Sequence, residues 1–377
     1  MSRLFLSSLK LSHFRSHRVS NVELDDRPIA IYGLNGAGKT NILEAVSMFS
    51  PGRGMRRAAA ADMARRPEAV GWKLTGILNS MHQVHEIETW SENGAARQVK
   101  IDDKSASQIA LGRVARVLWL VPSMDRLWIE GADGRRRFLD RIALSFEPRH
   151  AEASLAYEKA MRERNRLLKD QVQDAHWYRA LERQMAEAAV SITNNRVNSV
   201  DKLLISQDKA RSSFPSAELT MTHIEGDIPT SVESFEAAFA DNRQRDMAAG
   251  RTLIGPHRVD LEAVYAAKGV PAKDCSTGEQ KALLVSLILA NARSLTEEIG
   301  MPPLLLLDEV AAHLDVNRRA ALYDEICALG AQAWMTGTGP ELFDALGDRA
   351  QYIEVADDHG SSNCVPVGSV ADLKDAT

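Results

Sequence analysis

Gly33-Leu34-Asn35-Gly36-Ala37-Gly38-Lys39-Thr40 stands between a continuously apolar run, Pro28 to Tyr32, and the helical pattern Asn41-Ile-Leu-Glu-Ala-Val46. The spacing is GxxxxGK[ST], in the strand-to-helix context that a phosphate-binding loop requires. Its glycines let the backbone wrap with N–H groups turned inward, and the helix N-terminus adds positive potential. Lys39 can then reach the β and γ phosphates of ATP, and the Thr40 hydroxyl can ligate Mg2+. A glycine-rich surface turn is the plain alternative, and the flanking strand and helix patterns weigh against it.

A second element, Pro303-Leu-Leu-Leu-Leu-Asp308-Glu309, is a four-leucine strand ending in two carboxylates. Alone it fits any buried strand with a polar end. Beside a P-loop, Asp308 is the expected Mg2+ partner through water, and Glu309 is placed to orient or deprotonate the attacking water. Lys39 and Glu309 are therefore the expected catalytic pair. A third element, Ser276-Thr277-Gly278-Glu279-Gln280, follows Cys275 and opens a long apolar helix, Ala282 to Ala292, 32 residues (308 − 276) ahead of Asp308. In isolation it is a serviceable helix N-cap with a glutamate in the first turn.

At that spacing the segment resembles the signature motif of ABC-type ATPases, in which the serine and glycine of one subunit grip the γ-phosphate on the other subunit's P-loop. His313-Leu314-Asp315 likewise resembles the D-loop that follows the magnesium aspartate. Lys39 and Ser276 are 237 residues apart (276 − 39), a gap longer than transporter subunits normally carry and similar to that of the SMC and RecF branch. Four segments select the RecF family: Leu11-Ser-His-Phe14-Arg15-Ser16-His17, Gly52-Arg53-Gly54-Met-Arg56-Arg57, Gly134-Arg135-Arg136-Arg137-Phe138-Leu139-Asp140, and Gly255-Pro256-His257-Arg258-Val259-Asp260. The resemblance runs from about residue 3 to residue 340.

The resemblance implies an α/β P-loop ABC-ATPase head with an inserted α-helical lobe. It also implies an ATP-sandwiched homodimer, Arg15 among the nucleotide contacts, and weak, DNA-stimulated ATP hydrolysis. The implied role is recombinational gap repair, replication and SOS induction on double-stranded or gapped DNA, with RecR and RecO as partners that load RecA. The sequence departs from the expected patterns at two points. Val259 interrupts the GPHRDD run and leaves Asp260 as its only aspartate, and Trp334-Met335-Thr336-Gly337-Thr338 has no histidine where transporter ATPases carry their switch residue. Thr336 or Thr338 is then the expected γ-phosphate sensor. No Q-loop glutamine occurs near Val121-Pro122-Ser123. A transporter subunit is the first rival, opposed by the long insertion and the missing histidine; a clamp that binds ATP without turnover is the second, opposed by Glu309.

Length and composition agree with this reading. The chain of 377 residues suits one large domain plus an insertion, with 45% hydrophobic and 26% charged residues. It has no bilayer-spanning apolar run, and Met1 to Lys10 lacks the pattern of a signal peptide, so a cytoplasmic location is expected. Three cysteines, Cys275, Cys327 and Cys364, are too few and scattered for a disulfide framework or zinc site. The formal charge of −5 gives no global pull on nucleic acid, so DNA contact must use local basic patches. Arg53, Arg56, Arg57, Arg65 and Arg66 face one acid, Asp62, and the first three are the expected DNA contacts. Charge runs are more often solvated faces, and Arg135 to Arg137 carry the DNA reading less well.

Strands are predicted for the alternating Leu4, Leu6, Leu9 and Leu11, for Pro28–Tyr32, and for Trp72–Leu78, Val84–Trp90 and Val114–Val121, with a turn at Asn93-Gly94. From residue 136 to 208 there is one proline and no glycine, with apolar residues such as Leu155, Met161, Leu168, Leu181, Met185 and Ile192 at helical spacing. This predicts an arm of two or three long helices, then a looser stretch over 209–250. The expected division is 1–125 head with P-loop, 126–248 helical lobe, and 249–377 head with signature and magnesium aspartate; Ala371 to Thr377 are expected to fray.

Overall fold

The computed structural model describes residues 3–66, 68, 70–80, 83–223 and 226–367; the expected fraying of Ala371 to Thr377 falls outside them. They form two compact units. One comprises Met1–Asp125, Lys209–Pro215 and Thr277–Thr377, the other Arg126–Asp208 and Ser216–Ser276.

The first unit holds two six-stranded sheets. One is antiparallel, in the order His17–Glu23, Phe5–Phe14, Gly71–Ser80, Gln83–Glu92, Gln98–Ile101, Lys104–Ser105. Leu4, Leu6, Leu9 and Leu11 are all buried although the step from Leu6 to Leu9 is odd, because a bulge between Leu6 and Ser8 restores the face. Asn93 and Gly94 both take positive φ, and the Ala95 N–H closes the turn on the Glu92 carbonyl at 2.8 Å.

The other sheet runs Ser361–Val367, Gln351–Asp358, Ile29–Tyr32, Ala333–Gly337, Leu304–Leu307, Val117–Leu120, parallel throughout except for the antiparallel Ser361–Val367 edge. Ile29–Tyr32, Leu304–Leu307 and Ala333–Gly337 are buried along their whole length, as parallel strands covered on both faces must be. The strand expected over Val114–Val121 is confined to Val117–Leu120, and Leu111–Val114 forms a helical turn before it. Helix Thr277–Ile299 is buried without interruption from Gln280 to Ala292, which is why its sequence shows no polar face. A buried glutamine, Gln332, joins the two sheets: its Oε1 accepts from the Leu6 N–H at 3.0 Å and its Nε2 donates to the Leu6 carbonyl at 2.9 Å.

The second unit contains three long helices, Ala132–Phe146, His150–Lys169 and Ala175–Lys209, as the glycine-free run predicted. Their apolar stripe centres on Tyr157, Ala160, Met185, Ala189 and Ile192; Leu155, by contrast, is exposed. The expected loose stretch over 209–250 proves ordered. It supplies strand Ala217–His223, helix Val232–Asp241 behind a Ser231/Ser234 capping box, and helix Arg243–Ala249. Ala217–His223 pairs with Val259–Tyr265, so residues up to Ser276 belong to this unit and the boundary expected after 248 moves to 276. Lys209–Pro215 returns to the first unit, where Ser212 Oγ donates to Glu325 at 2.6 Å.

Arg164 lies at the heart of the lobe, fully buried. It donates to Glu182 at 3.1 Å, Asp246 at 2.6 Å, Thr252 Oγ1 at 2.9 Å and the Phe239 carbonyl at 2.9 Å. Arg243 shares Glu182, so two cations meet two carboxylates and no buried charge is left over. Among the described residues no helix is long and apolar enough to cross a membrane.

Candidate nucleotide site

Three parallel strands end side by side, and their carboxyl ends carry the residues singled out by sequence. Ile29–Tyr32 leads into the P-loop, Leu304–Leu307 into Asp308 and Glu309, and Ala333–Gly337 lies between them. Gly33 (φ 149°) has no room for a side chain, since a Cβ would stand 2.1 Å from the Val355 carbonyl oxygen. Gly38 (φ 106°) caps helix Lys39–Ser47. Leu34, Asn35 and Gly36 are exposed at the loop tip, with Ala37 buried beneath.

Lys39 is buried and donates from Nζ to the carbonyls of Gly33 at 2.6 Å and Leu34 at 2.9 Å. Thr40 Oγ1 donates to Asp308 Oδ1 at 3.0 Å, and Thr336 Oγ1 donates to the same oxygen at 2.7 Å. The Glu309 N–H donates in turn to Thr336 Oγ1 at 2.9 Å, with Glu309 at φ 53°, a left-handed conformation uncommon outside glycine. Burial lowers the Lys39 ammonium from its ordinary range, opposed by the nearby charges of Glu309 and Asp308. Burial likewise raises the Asp308 carboxyl, opposed by its two hydroxyl donors and reinforced by Glu309. Burial thus works against the charge on each group, and a phosphate beside Lys39 or a divalent cation beside Asp308 would favour the charged forms. Thr40 and Asp308 offer hard oxygen ligands suited to Mg2+, which takes few protein ligands and fills its shell with phosphate and water oxygens. Among the described residues no group of three or more His, Cys, Asp or Glu is gathered to hold a metal unaided.

Sequence reasoning missed the bracing around the loop. Ser362 Oγ donates to the Ala37 carbonyl at 2.6 Å and is 2.6 Å from Ser16 Oγ, which accepts from Asn41 Nδ2 at 2.7 Å. His17 is buried, with Nε2 3.2 Å from the Gly38 carbonyl and Nδ1 2.8 Å from Ser20 Oγ; burial pulls it down to about 4. Ser16 and His17 belong to the segment quoted for the family resemblance. Ser362, more than three hundred residues distant, carried no signal.

Arg15, expected on the nucleotide, takes a forked grip on the buried Glu44, Nε to Oε2 at 2.8 Å and Nη2 to Oε1 at 2.6 Å, and donates to the Asp62 carbonyl at 2.7 Å. Arg56 donates to Asn41 Oδ1 at 2.9 Å and approaches Glu44 at 3.4 Å, which ties one expected DNA contact to the P-loop helix. Arg53 and Arg57 are exposed. The turn that carries Arg53 is held by Arg97, which donates to the Gly52 carbonyl at 2.7 Å and to the Met48 carbonyl.

Ser276, Thr277 and Gly278 are exposed at the start of helix Thr277–Ile299, while Glu279 is half-buried and Gln280 buried. Lys281, the next residue, is buried and pairs with Asp125 at 3.3 Å. Asp125 follows the turn Pro122–Met124, where no Q-loop glutamine was found. Asp315 caps helix Val316–Leu329, accepting from the Arg318 N–H at 2.9 Å.

The two remaining segments lock to each other within the lobe. Arg135 makes a forked pair with Asp260 at 2.7 and 2.9 Å, Arg136 donates to the Val259 carbonyl at 3.0 Å, and Asp140 pairs with Arg196, which donates to the Pro256 carbonyl at 2.7 Å. His257 Nδ1 lies 2.8 Å from the Tyr157 hydroxyl. Val259 is buried, so its apolar side chain suits the position, and Arg135 and Arg136 are engaged in intramolecular contacts.

A family model described as the RecF/RecN/SMC N terminal domain matches residues 5–357. The DNA replication and repair protein RecF of Rhizobium meliloti (strain 1021) is 45% identical over 366 residues, 94% of this chain and 98% of its own. RecF of Brucella suis biovar 1 (strain 1330) is 45% identical over 368 residues, 94% of this chain and 95% of its own. Among solved structures, the recombination mediator protein RecF with ATPrS, of the RecFOR pathway, superposes with a TM-score of 0.82 at 22% identity, over 97% of this chain and 99% of that one. An Smc head domain from Pyrococcus furiosus, bound to the C-terminal domain of ScpA, gives 0.57 at 16% identity, over 99% and 98%. With nearly its whole length matched at that identity, the chain belongs to the RecF family of DNA replication and repair proteins, within the RecF/RecN/SMC group of P-loop heads.

Proposed function

We propose that the chain is an ATP-driven DNA clamp whose heads dimerise around two nucleotides and reopen on slow hydrolysis. The observation that carries this is the 3.0 Å contact between Thr40 and Asp308, which brings P-loop and carboxylate strand together across 268 residues of sequence. Lys39 would exchange its carbonyl partners for the β and γ phosphates, with the loop N–H groups completing the cradle. Thr40 and Asp308 would hold Mg2+, which when bound neutralises phosphate charge. Glu309 would accept the proton of the attacking water. The exposed Ser276, Thr277 and Gly278, with Glu279 and Gln280 behind them, would reach the nucleotide of a second copy, and Asp315 would lie at the same seam. A neighbouring solved structure is of RecF with ATP in the RecFOR pathway, which supports ATP as the nucleotide. By the same relationship, RecR with RecO would be the partners in loading RecA.

Arg53, Arg56 and Arg57 would contact DNA phosphates. Because the chain carries a net charge of −5, one copy binds weakly, and closure of a dimer adds two patches on one duplex. Fluorescence anisotropy on a short duplex with ATP, ADP and no nucleotide tests this. Tight binding is expected with ATP only; equal affinity in all three states would refute gating by nucleotide.

A further inference from the structure

Sequence points to Thr336 as a γ-phosphate sensor, yet its surroundings give its hydroxyl a different task. Thr336 is buried at the end of strand Ala333–Gly337, one residue beyond the Leu307 to Met335 pairing that aligns it with the carboxylate strand. A hydroxyl has one proton and two lone pairs, and an ionised carboxylate only accepts. The 2.7 Å contact with Asp308 therefore takes the Thr336 proton, and the 2.9 Å contact from the Glu309 N–H takes a lone pair. No proton remains for a phosphate oxygen. The second contact falls on a residue in the left-handed region, Glu309 at φ 53°. Gly337, next in sequence, is closely packed: a Cβ there would stand 2.8 Å from Leu342 Cδ1 and 2.9 Å from the Phe343 ring, so both side chains would have to shift to admit a switch histidine. Thr338, the other hydroxyl of this segment, is exposed.

We propose that Thr336 is a positioning residue for the ATPase reaction, fixing the Asp308 carboxylate for Mg2+ through its proton and the left-handed Glu309 peptide through its oxygen. The inference rests on the ATPase reading of this site. Two readouts separate it from a packing role and from that reading. The first is kcat and KM for ATP; the second is the Mg2+ concentration that half-saturates Mg2+-dependent nucleotide binding, measured on the full chain with a fluorescent ATP analogue.

Thr336→Val keeps the shape and removes both bonds; Thr336→Ser keeps the hydroxyl. The Val variant is expected to lose about tenfold or more in kcat and to need about tenfold more Mg2+, with KM for MgATP within about threefold of the parent. The Ser variant is expected to recover both. Equal defects in the Val and Ser variants, or a Val variant with the parent's kcat and Mg2+ midpoint, would overturn the proposal. Should the Val variant not fold, Thr336→Ala carries the same expectations. If the parent binds nucleotide without turning it over, hydrolysis by Glu309 is what fails, and the Mg2+ midpoint still decides for or against Thr336. A parent that binds no nucleotide would overturn both.

Discussion

Alanine at Gly36 and at Gly38 should have unequal effects, and the structure sets the inequality. Both glycines have positive φ, 86° and 106°, so each substitution forces an L-residue into a conformation that costs about 1–2 kcal/mol. At Gly36 nothing lies within 4 Å of the new Cβ. At Gly38 it would stand 2.1 Å from Ser362 Oγ and 2.6 Å from Ser16 Oγ, and the Ser362 hydroxyl is pinned by 2.6 Å contacts to Ser16 Oγ and the Ala37 carbonyl. Overpacking of that kind adds about 1–3 kcal/mol. Holding phosphate requires this backbone, so a variant loop that moves away from it must return to bind, and the cost is read as lost nucleotide affinity. At 1.4 kcal/mol per tenfold, Gly36→Ala should weaken ATP binding about 5- to 30-fold and Gly38→Ala from about 30-fold to a few thousandfold. Fluorescent-nucleotide titration of the two variants measures the ratio. Equal losses, or a smaller loss at Gly38, would refute the assignment of the Ser16 and Ser362 brace to the loop.

Three further outcomes are expected. His17 and His257 are both pulled down to about 4 chiefly by burial, so the folded chain keeps them neutral where the unfolded chain takes up protons; the stability they confer is complete above pH 6.5 and falls as pH drops toward 4, by about 2 kcal/mol each at pH 5, and a urea midpoint unchanged between pH 7 and pH 5 would contradict it. Arg164→Met should cost about 3–5 kcal/mol by stranding Asp246 in the lobe interior, with partial recovery on adding Asp246→Asn, and a loss below about 1 kcal/mol by chemical denaturation would refute the buried network. Replacing Arg56 and Arg57 with alanine should flatten the log–log salt dependence of duplex binding by about 0.9 per lost phosphate contact, and an unchanged slope would return the pair to ordinary surface charge.

The fold was most legible where chemistry constrains spacing. Gly33 to Thr40, the four leucines before Asp308 and the glycine-free run after residue 136 each led to the right element, because a phosphate cradle, a two-face-buried strand and a long helix leave few alternatives. The lobe's sheet was not legible. Ala217–His223 alternates, with Ala217, Leu219 and Met221 set between polar residues, but it is short and its partner Val259–Tyr265 lies beyond two helices, so nothing local announces the pairing. The site was legible in part. Lys39, Thr40, Asp308 and Glu309 converge as expected, whereas Ser362 and Gln332 act through contacts more than three hundred residues apart. Arginines were the least legible of all: Arg15, Arg56, Arg135 and Arg136 look alike in sequence, and only the positions of Glu44, Asn41, Asp260 and the Val259 carbonyl show what each one holds.

Sedimentation velocity of Glu309→Gln with MgATP tests the central claim most directly. Without a base to deprotonate water, the closed pair cannot reopen by hydrolysis. The variant should sediment at twice the 41.5 kDa chain mass with ATP and at single mass without it, and Ser276→Arg in the same background should stay at single mass while still binding nucleotide. A Glu309→Gln variant that remains at single mass in saturating MgATP, or a Ser276→Arg variant that dimerises like its parent, would contradict the account.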